Sequence, residues 1–159
     1  EYGPRALGNR SVLYHTRDPK VNDWLNEKLH RSEFMPFAPV TLMEHARQCY
    51  KNIEGAEYTA KFMTISFDCT EWMKKTSPGV VHLDGTARPQ LLEREDNPGY
   101  YRILERYHEL TGIPSLINTS FNMHEEPIVC DLRDAIRTFR RCRLDGLLVD
   151  GHILLKPGG

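Results

Sequence analysis

The sequence predicts a single α/β domain, on three observations. The chain has 159 residues, a length at which one domain buries roughly two-thirds of the surface of its unfolded form. Its hydrophobic fraction of 40% and charged fraction of 27% are those of an ordinary globular protein. Short runs typical of strands alternate with longer segments of helical periodicity, the pattern of a sheet with flanking helices. We assign all residues, 1–159, to this one domain.

In the first half of the chain, the clearest signal is an amphipathic helix. Asp18 and Pro19 provide a capping carboxylate and a first-turn proline. The helix face is formed by Val21, Trp24, Leu25 and Leu29. The other elements predicted here are strands at 37–43, 63–67 and 80–83 and a short polar helix at 44–50.

The second half predicts two helices and three strands. In chain order these are a helix at 101–110 ended by Gly112, a strand at 115–118, a helix capped by Asp131, a strand at 146–149 and a strand at 153–155. The strand–helix–strand order implies a right-handed crossover with parallel pairing of 115–118 and 146–149. Asp150-Gly151 predicts a hairpin turn between the last two strands.

Charge and composition argue against several classes of partner. The formal net charge is -1, so we expect neither a nucleic acid nor a membrane surface as partner. No apolar run approaches the roughly 20 residues of a membrane span, and no signal peptide is recognisable, so we expect a cytoplasmic protein. The chain starts at Glu1 without a methionine, which suggests a piece of a longer polypeptide.

The cysteine pattern predicts reduced thiols and no metal site. Cys49, Cys69, Cys130 and Cys142 lie far apart, and no C-x-x-C pair is present. This spacing does not fit a structural zinc site or a redox pair.

The first of three polar segments is glycine-rich and lies at the start of the chain. It runs E-Y-G-P-R-A-L-G-N-R-S and contains Arg5 and Arg10. A guanidinium matches phosphate or carboxylate oxygens in pairs, and glycine lets the backbone approach the same anion. The segment therefore predicts an anion site, with a pair of exposed surface arginines as the alternative.

The second segment, 82–90, follows the strand predicted at 80–83. Strand ends are the usual place for ligand groups in an open α/β sheet. Within it, candidate donors, acceptors and a proton carrier are His82, Asp84, Thr86 and Arg88. A lone histidine is more often structural, so Arg88 is the stronger candidate.

The third segment, N-T-S-F-N, follows the strand predicted at 115–118. Its candidate ligand groups are Asn118, Thr119, Ser120 and Asn122. The alternative is a turn that satisfies only its own backbone, but three such segments in one chain favour ligand binding. Arg31 is a weaker candidate for an anion contact. The arginines Arg137, Arg140, Arg141 and Arg143 are interpreted as a solvated face.

Four ordered motifs in this sequence resemble the C-terminal domain of the O-carbamoyltransferase family. They are E-Y-G-P-R-A-L-G-N-R-S, P-F-A-P-V, H-L-D-G-T-A-R, and N-T-S-F-N followed by E-P-I-V. The family includes nodulation-factor, aminoglycoside and cephem carbamoyltransferases, and the resemblance extends from Glu1 to about Ile153. It implies a YrdC-like fold with a twisted mixed sheet.

The resemblance also implies an activity and a ligand set. The family domain joins carbamoyl phosphate to ATP, with Mg²⁺ accompanying the ATP, and yields a carbamoyl adenylate. A preceding actin-like ATPase-type domain then passes the carbamoyl group to a substrate hydroxyl. By motif, Arg5, Arg10 and Arg88 would hold phosphate oxygens, and the third segment would contact nucleotide or carbamoyl groups. Met35 and Glu125 depart from the family pattern, where many relatives have arginine and glycine.

Two alternative functions stay open at this point. A threonylcarbamoyl-adenylate-type synthase would use the same kind of fold without an upstream domain. A non-catalytic nucleotide- or RNA-binding module would require a basic stripe, which the balanced charge disfavours. The acceptor alcohol cannot be read from this chain, and a homodimer is an open alternative for its assembly.

Overall fold

A four-stranded sheet with both parallel and antiparallel pairs organises most of the described chain. Its strands are β1 (Ser11–Tyr14), β2 (Ala38–Leu42), β5 (Gln90–Leu92) and β6 (Ser115–Ser120), in the order β1-β6-β2-β5. β6 is antiparallel to both β1 and β2, and β2 is parallel to β5. The α/β class with a mixed sheet and flanking helices is therefore confirmed.

The computed structural model describes residues 7–29, 37–142 and 144–156. The chain divides into two compact units. Unit 1 comprises Glu1–Asn22 and Pro36–Ser120, and unit 2 comprises Asp23–Met35 and Phe121–Gly159. The four-stranded sheet belongs to unit 1.

The longest helix, α5 (Pro98–Thr111), covers one face of this sheet. Asn97 caps it by accepting a hydrogen bond from the Tyr100 backbone N–H, and Gly112 ends it in the left-handed conformation. The core formed with the sheet consists of Val40, Leu42, Leu92, Tyr100, Tyr101, Leu104 and Leu116. Each such side chain contributes about 1.5–3 kcal/mol when fully buried, so the α5 face is a main source of stability.

The remaining elements of the first 87 residues are short. They are α1 (Val21–Lys28), a 3₁₀ turn (Met43–His45), α2 (Ala46–Cys49), α3 (Glu57–Ala60), β3 (Phe67–Asp68), α4 (Glu71–Thr76), a second 3₁₀ turn (Pro78–Val80) and β4 (Thr86–Ala87). β3 and β4 form a separate antiparallel pair. The helix predicted after Pro19 and the short helix after the second strand are confirmed.

Two predicted strands are wrong. Within 63–67, only Phe67 is extended, because Met63 has a φ of 55° in the left-handed region, which ends any regular strand. Within 80–83, Val80 closes a 3₁₀ turn that starts at Pro78, whose ring fixes φ and removes a backbone donor. Val81 is extended, but paired strand residues come only later, in β4.

Unit 2 contains α6 (Leu132–Arg141) and a hairpin of β7 (Gly146–Val149) and β8 (His152–Leu155). The predicted cap of α6 is confirmed, since the Asp131 side chain accepts from the Asp134 N–H. The hairpin is also confirmed, with Asp150 and Gly151 both at positive φ. The parallel pairing of β6 with β7 is wrong: among the described strands, β7 pairs with β8 alone, antiparallel across the two-residue turn.

No helix in the described ranges is long and apolar enough to cross a membrane.

Candidate functional site

His82, Asp84 and Thr86 form one hydrogen-bonded turn before β4. The Thr86 hydroxyl donates to Asp84 Oδ1 at 2.8 Å, and the Thr86 backbone N–H donates to the same oxygen at 2.9 Å. The His82 Nδ1 lies 3.0 Å from the Thr86 hydroxyl oxygen. Since the hydroxyl hydrogen is directed to Asp84, that oxygen accepts from His82, and Nδ1 carries the hydrogen. The lone pair of His82 is then on Nε2.

The protonation states of this turn follow from burial and from neighbouring charges. Burial lowers the pKa of His82 below its ordinary value; Asp84 opposes this shift, and the positive charge of Arg88 adds to it. Hydrogen bonds from the backbone and then the hydroxyl of Thr86 lower the pKa of Asp84. At neutral pH the pair is therefore a neutral imidazole beside a carboxylate. Such an imidazole can accept a hydrogen bond or a proton at Nε2.

Arg88 is half-buried and makes no hydrogen bond or ion pair with any residue of the described ranges. Other arginines of the chain are compensated: Arg94 pairs with Glu105 at 2.8 Å, and Arg137 pairs with Asp134 at 2.7 Å. A partly desolvated guanidinium needs a compensating charge or hydrogen-bond acceptors. The surroundings of Arg88 therefore suit an anion supplied from outside the protein.

Three residues of the third polar segment lie inside a strand, contrary to the prediction that the segment follows one. Asn118 and Thr119 are buried and Ser120 is half-buried, all within β6. The Asn118 Nδ2 donates to Gln90 Oε1 at 2.5 Å, whereas Asn118 Oδ1 is buried without a partner. Antiparallel pairing keeps these residues extended: Asn118 pairs with both β1 and β2, and Thr119 and Ser120 pair with β1.

Asn122 belongs to a turn of unit 2. Its Nδ2 donates to the carbonyls of Met123 at 2.8 Å and Glu126 at 3.1 Å. These contacts fit the alternative in which the residue satisfies local backbone groups. The neighbouring Glu125 has a φ of 62°, a conformation that favours glycine.

Arg10 ends the turn that leads into β1. It is half-buried and directly precedes Ser11, which pairs in register with Ser120. The turn is held against α5, since Asn97 Nδ2 donates to the Leu7 carbonyl at 2.9 Å. Arg5 and Arg31, the other predicted anion-binding arginines, lie outside the described residues.

The structure thus connects the second and third polar segments within unit 1. His82, Asp84 and Thr86 share hydrogen bonds, Arg88 acts electrostatically on His82, and Gln90 binds Asn118. Gln90 is not among the site residues predicted from the sequence. The signal that could have indicated it is its position as a polar residue directly before the apolar pair Leu91-Leu92.

The cysteines are free thiols, and burial suppresses the reactivity of Cys49 and Cys69, whereas Cys130 is exposed. Burial raises the pKa of Cys49 to about 12 and that of Cys69 to about 11. Both therefore stay protonated at neutral pH and are poor nucleophiles or metal ligands. Across the described residues, no group of three or more His, Cys, Asp or Glu side chains could hold a metal ion.

The fold is that of a mixed α/β protein. Its candidate site combines Arg88, which has no ion-pair partner among the described residues, with the neutral His82 and the buried amide pair of Gln90 and Asn118. The chain belongs to the family described as carbamoyltransferase C-terminus, whose model matches residues 1–156. The predicted family is confirmed.

Among curated proteins, the chain is similar to nodulation proteins and to an uncharacterized protein. The chain is 38% identical over 157 residues to nodulation protein NolO of Bradyrhizobium diazoefficiens, covering 98% of this chain and 28% of the relative. It is 40% identical over 160 residues to nodulation protein U of Sinorhizobium fredii, covering 99% and 27%. An uncharacterized protein of Methanocaldococcus jannaschii is 42% identical over 155 residues, covering 97% and 25%. The chain thus spans about a quarter of the length of these relatives.

Proposed function

We propose that this chain is the domain of an O-carbamoyltransferase that binds carbamoyl phosphate and ATP and forms a carbamoyl adenylate. The observation that carries the proposal is Arg88, a half-buried guanidinium without a carboxylate partner in the described chain, next to a neutral His82. Family membership supplies the reaction class. The proposed ligands are both phosphate-bearing, which is the chemistry that an uncompensated guanidinium favours.

Each candidate residue has a proposed role. Arg88 binds phosphate oxygens, with Arg5, Arg10 and Arg31 as further anion contacts. His82 offers Nε2 as acceptor, and Asp84 and Thr86 fix its ring. Bringing two anions together requires charge neutralisation and orientation, which supply most of the rate in phosphoryl chemistry. Contacts to the nucleotide or the carbamoyl group are assigned to Asn118, Thr119, Ser120 and Asn122.

The overall reaction consumes one water molecule and has two leaving groups. Water attacks the carbonyl carbon of carbamoyl phosphate, the bond from that carbon to the phosphate oxygen breaks, and carbamate and inorganic phosphate form. A carbamate oxygen then bonds to the α-phosphorus of ATP, and the bond from that phosphorus to pyrophosphate breaks. Mg²⁺ bound with ATP would offset charge on the departing pyrophosphate.

The rest of the enzyme is also part of the proposal. An upstream actin-like ATPase-type domain would receive the carbamoyl adenylate and transfer the carbamoyl group to a substrate hydroxyl. The short share of each relative that this chain covers leaves room for such a domain. A cytoplasmic location stays a prediction.

Calorimetric titration of the chain with ATP and, separately, with freshly prepared carbamoyl phosphate tests the proposal. We expect weak but saturable binding of each ligand. A further titration with threonine tests the rival threonylcarbamoyl-adenylate synthase. Absence of heat with both phosphate ligands would contradict the proposed function, and saturable binding of threonine would favour the rival.

A further inference from the structure

Gln90 and Asn118 form a buried amide pair that leaves one acceptor and one donor unused. Their side chains are joined by the 2.5 Å hydrogen bond from Asn118 Nδ2 to Gln90 Oε1, and both residues are at most 2% exposed. Asn118 Oδ1 is buried without a partner, and Gln90 Nε2 has no acceptor in the described part of the chain. The pair therefore presents a free carbonyl oxygen and a free amide N–H.

The sheet register places both amides on the same face as α5. Val40 pairs with Gln90 on one side and with Leu116 on the other, and Asn118 is two residues beyond Leu116. Side chains two residues apart on a strand share a face. Ala38, the partner of Asn118 on β2, is small enough for the Asn118 side chain to reach Gln90 on β5.

The unpaired oxygen is costly for the protein alone. Leaving a buried acceptor unsatisfied costs about 1–3 kcal/mol. On the opposite face of the same sheet, the buried hydroxyl of Thr41 lies 2.7 Å from the Tyr50 hydroxyl and 2.8 Å from that of Ser115. The buried hydroxyls on that face thus have partners within the protein, whereas Asn118 Oδ1 has none among the described residues. A donor group of a ligand would satisfy it.

We propose that the Gln90–Asn118 pair recognises the amide end of carbamoyl phosphate and selects it over acyl phosphates that lack the amide nitrogen. Asn118 Oδ1 accepts from the carbamoyl NH₂, and Gln90 Nε2 donates to the carbamoyl oxygen. This inference rests on the proposed function, because it assigns one end of the same ligand. Arg88 is two residues before Gln90, so their Cα atoms are at most about 7 Å apart. One small molecule can therefore have its phosphate at Arg88 and its amide at the pair.

Competing titrations with carbamoyl phosphate and acetyl phosphate test this inference, since acetyl phosphate carries a methyl group in place of the NH₂. We expect the parent chain to bind carbamoyl phosphate at least about tenfold more tightly, the scale of one hydrogen bond. In Asn118→Ala this preference should fall to within about twofold, through weaker binding of carbamoyl phosphate alone. Thr41→Val, a change at a buried polar residue on the opposite face, should retain the parent preference.

The outcomes separate this inference from the proposed function. Equal affinity of the parent chain for carbamoyl phosphate and acetyl phosphate overturns the amide recognition. It does not contradict the proposed anion site at Arg88. This comparison needs no variant. An undiminished preference in a folded Asn118→Ala chain also overturns the amide recognition. Failure of both phosphates to bind overturns the proposed function, and the amide recognition with it.

Discussion

Arg88 is the residue on which the proposed anion site depends most. Its guanidinium presents a planar fork of donors, whereas lysine presents a single compact charge. Arg88→Lys keeps the charge and loses the fork, so carbamoyl phosphate binding should weaken by roughly 1.5–3 kcal/mol, the scale of a hydrogen bond to a charged group. Isothermal titration and thermal melting, measured together, check this expectation. The melting temperature should change little.

Arg106→Lys is the matched control, because Arg106 is exposed and pairs with Glu109 on α5. It should leave both binding and melting temperature near those of the parent chain. An Arg88→Lys chain that binds as well as the parent would remove Arg88 from the site. A large loss of stability instead would identify Arg88 as a structural residue.

The lowered pKa of His82 predicts a dependence of stability on pH. Burial holds its folded pKa below the unfolded value of about 6.5. Below pH about 6.5, His82 is protonated in the unfolded chain while it is still neutral in the folded chain. The contribution of His82 to the free energy of unfolding is therefore complete above that pH, and it is lost as the pH falls to the folded pKa. His82→Gln should make the decline between pH 7 and about 5.5 shallower in urea denaturation.

Two other histidines are needed to interpret this measurement. Burial also lowers the pKa of His108, so some decline should persist in His82→Gln. His152, exposed in the hairpin of unit 2, is the control, and His152→Gln should retain the parent slope. An unchanged slope in His82→Gln would contradict the environment described for the ring.

At this scale the sequence predicted part of the candidate site. His82, Asp84 and Thr86 were grouped because they are close along the chain, and the structure joins them by hydrogen bonds. The contact of Gln90 with Asn118 spans 28 residues and crosses β2. Spacing along a chain does not reveal the order of strands in a sheet, so this contact could not be predicted.

Among the structural elements, the turn before β1 depends on Gly8. Its φ is 78°, and a Cβ added there would lie 2.6 Å from atoms of the Tyr100 ring on α5. Gly8→Ala should cost about 1–2 kcal/mol for the left-handed backbone and about 1–3 kcal/mol more for overpacking. Chemical denaturation measures the loss. Because Arg10 ends this turn, we expect carbamoyl phosphate binding to weaken as well.

Gly112 provides the comparison, with a φ of 73° and no atom within 4 Å of an added Cβ. Gly112→Ala should lower the free energy of unfolding only by the cost of the left-handed backbone, about 1–2 kcal/mol. Equal losses at the two positions would show that the Tyr100 ring yields easily and that the turn is not held by this contact.

Elements with local signals were predictable, and elements defined by pairing were not. The helix α5 has an asparagine cap, a first-turn proline and a terminal glycine, all readable in the sequence. The strands β1 and β5 have only four and three residues, too few for a clear alternation. β6 extends to Ser120 through polar residues, because β2 pairs with residues 115–118 of this strand and β1 pairs with residues 117–120.

At the scale of the whole molecule, the chain holds the residues proposed for activation and covers about a quarter of each relative described above. The proposed function accordingly assigns the acceptor alcohol to the proposed upstream domain. This division of labour makes activation and transfer separable, and the chain by itself should perform only the first.

The most direct test incubates the chain with ATP, Mg²⁺ and carbamoyl phosphate, with glycerol as a test alcohol, and measures pyrophosphate and carbamoylated products. The account predicts pyrophosphate release that requires both ATP and carbamoyl phosphate, and no carbamoylated glycerol. Carbamoylated glycerol formed by this chain alone, or an absence of carbamoyl-phosphate-dependent pyrophosphate release, would contradict it.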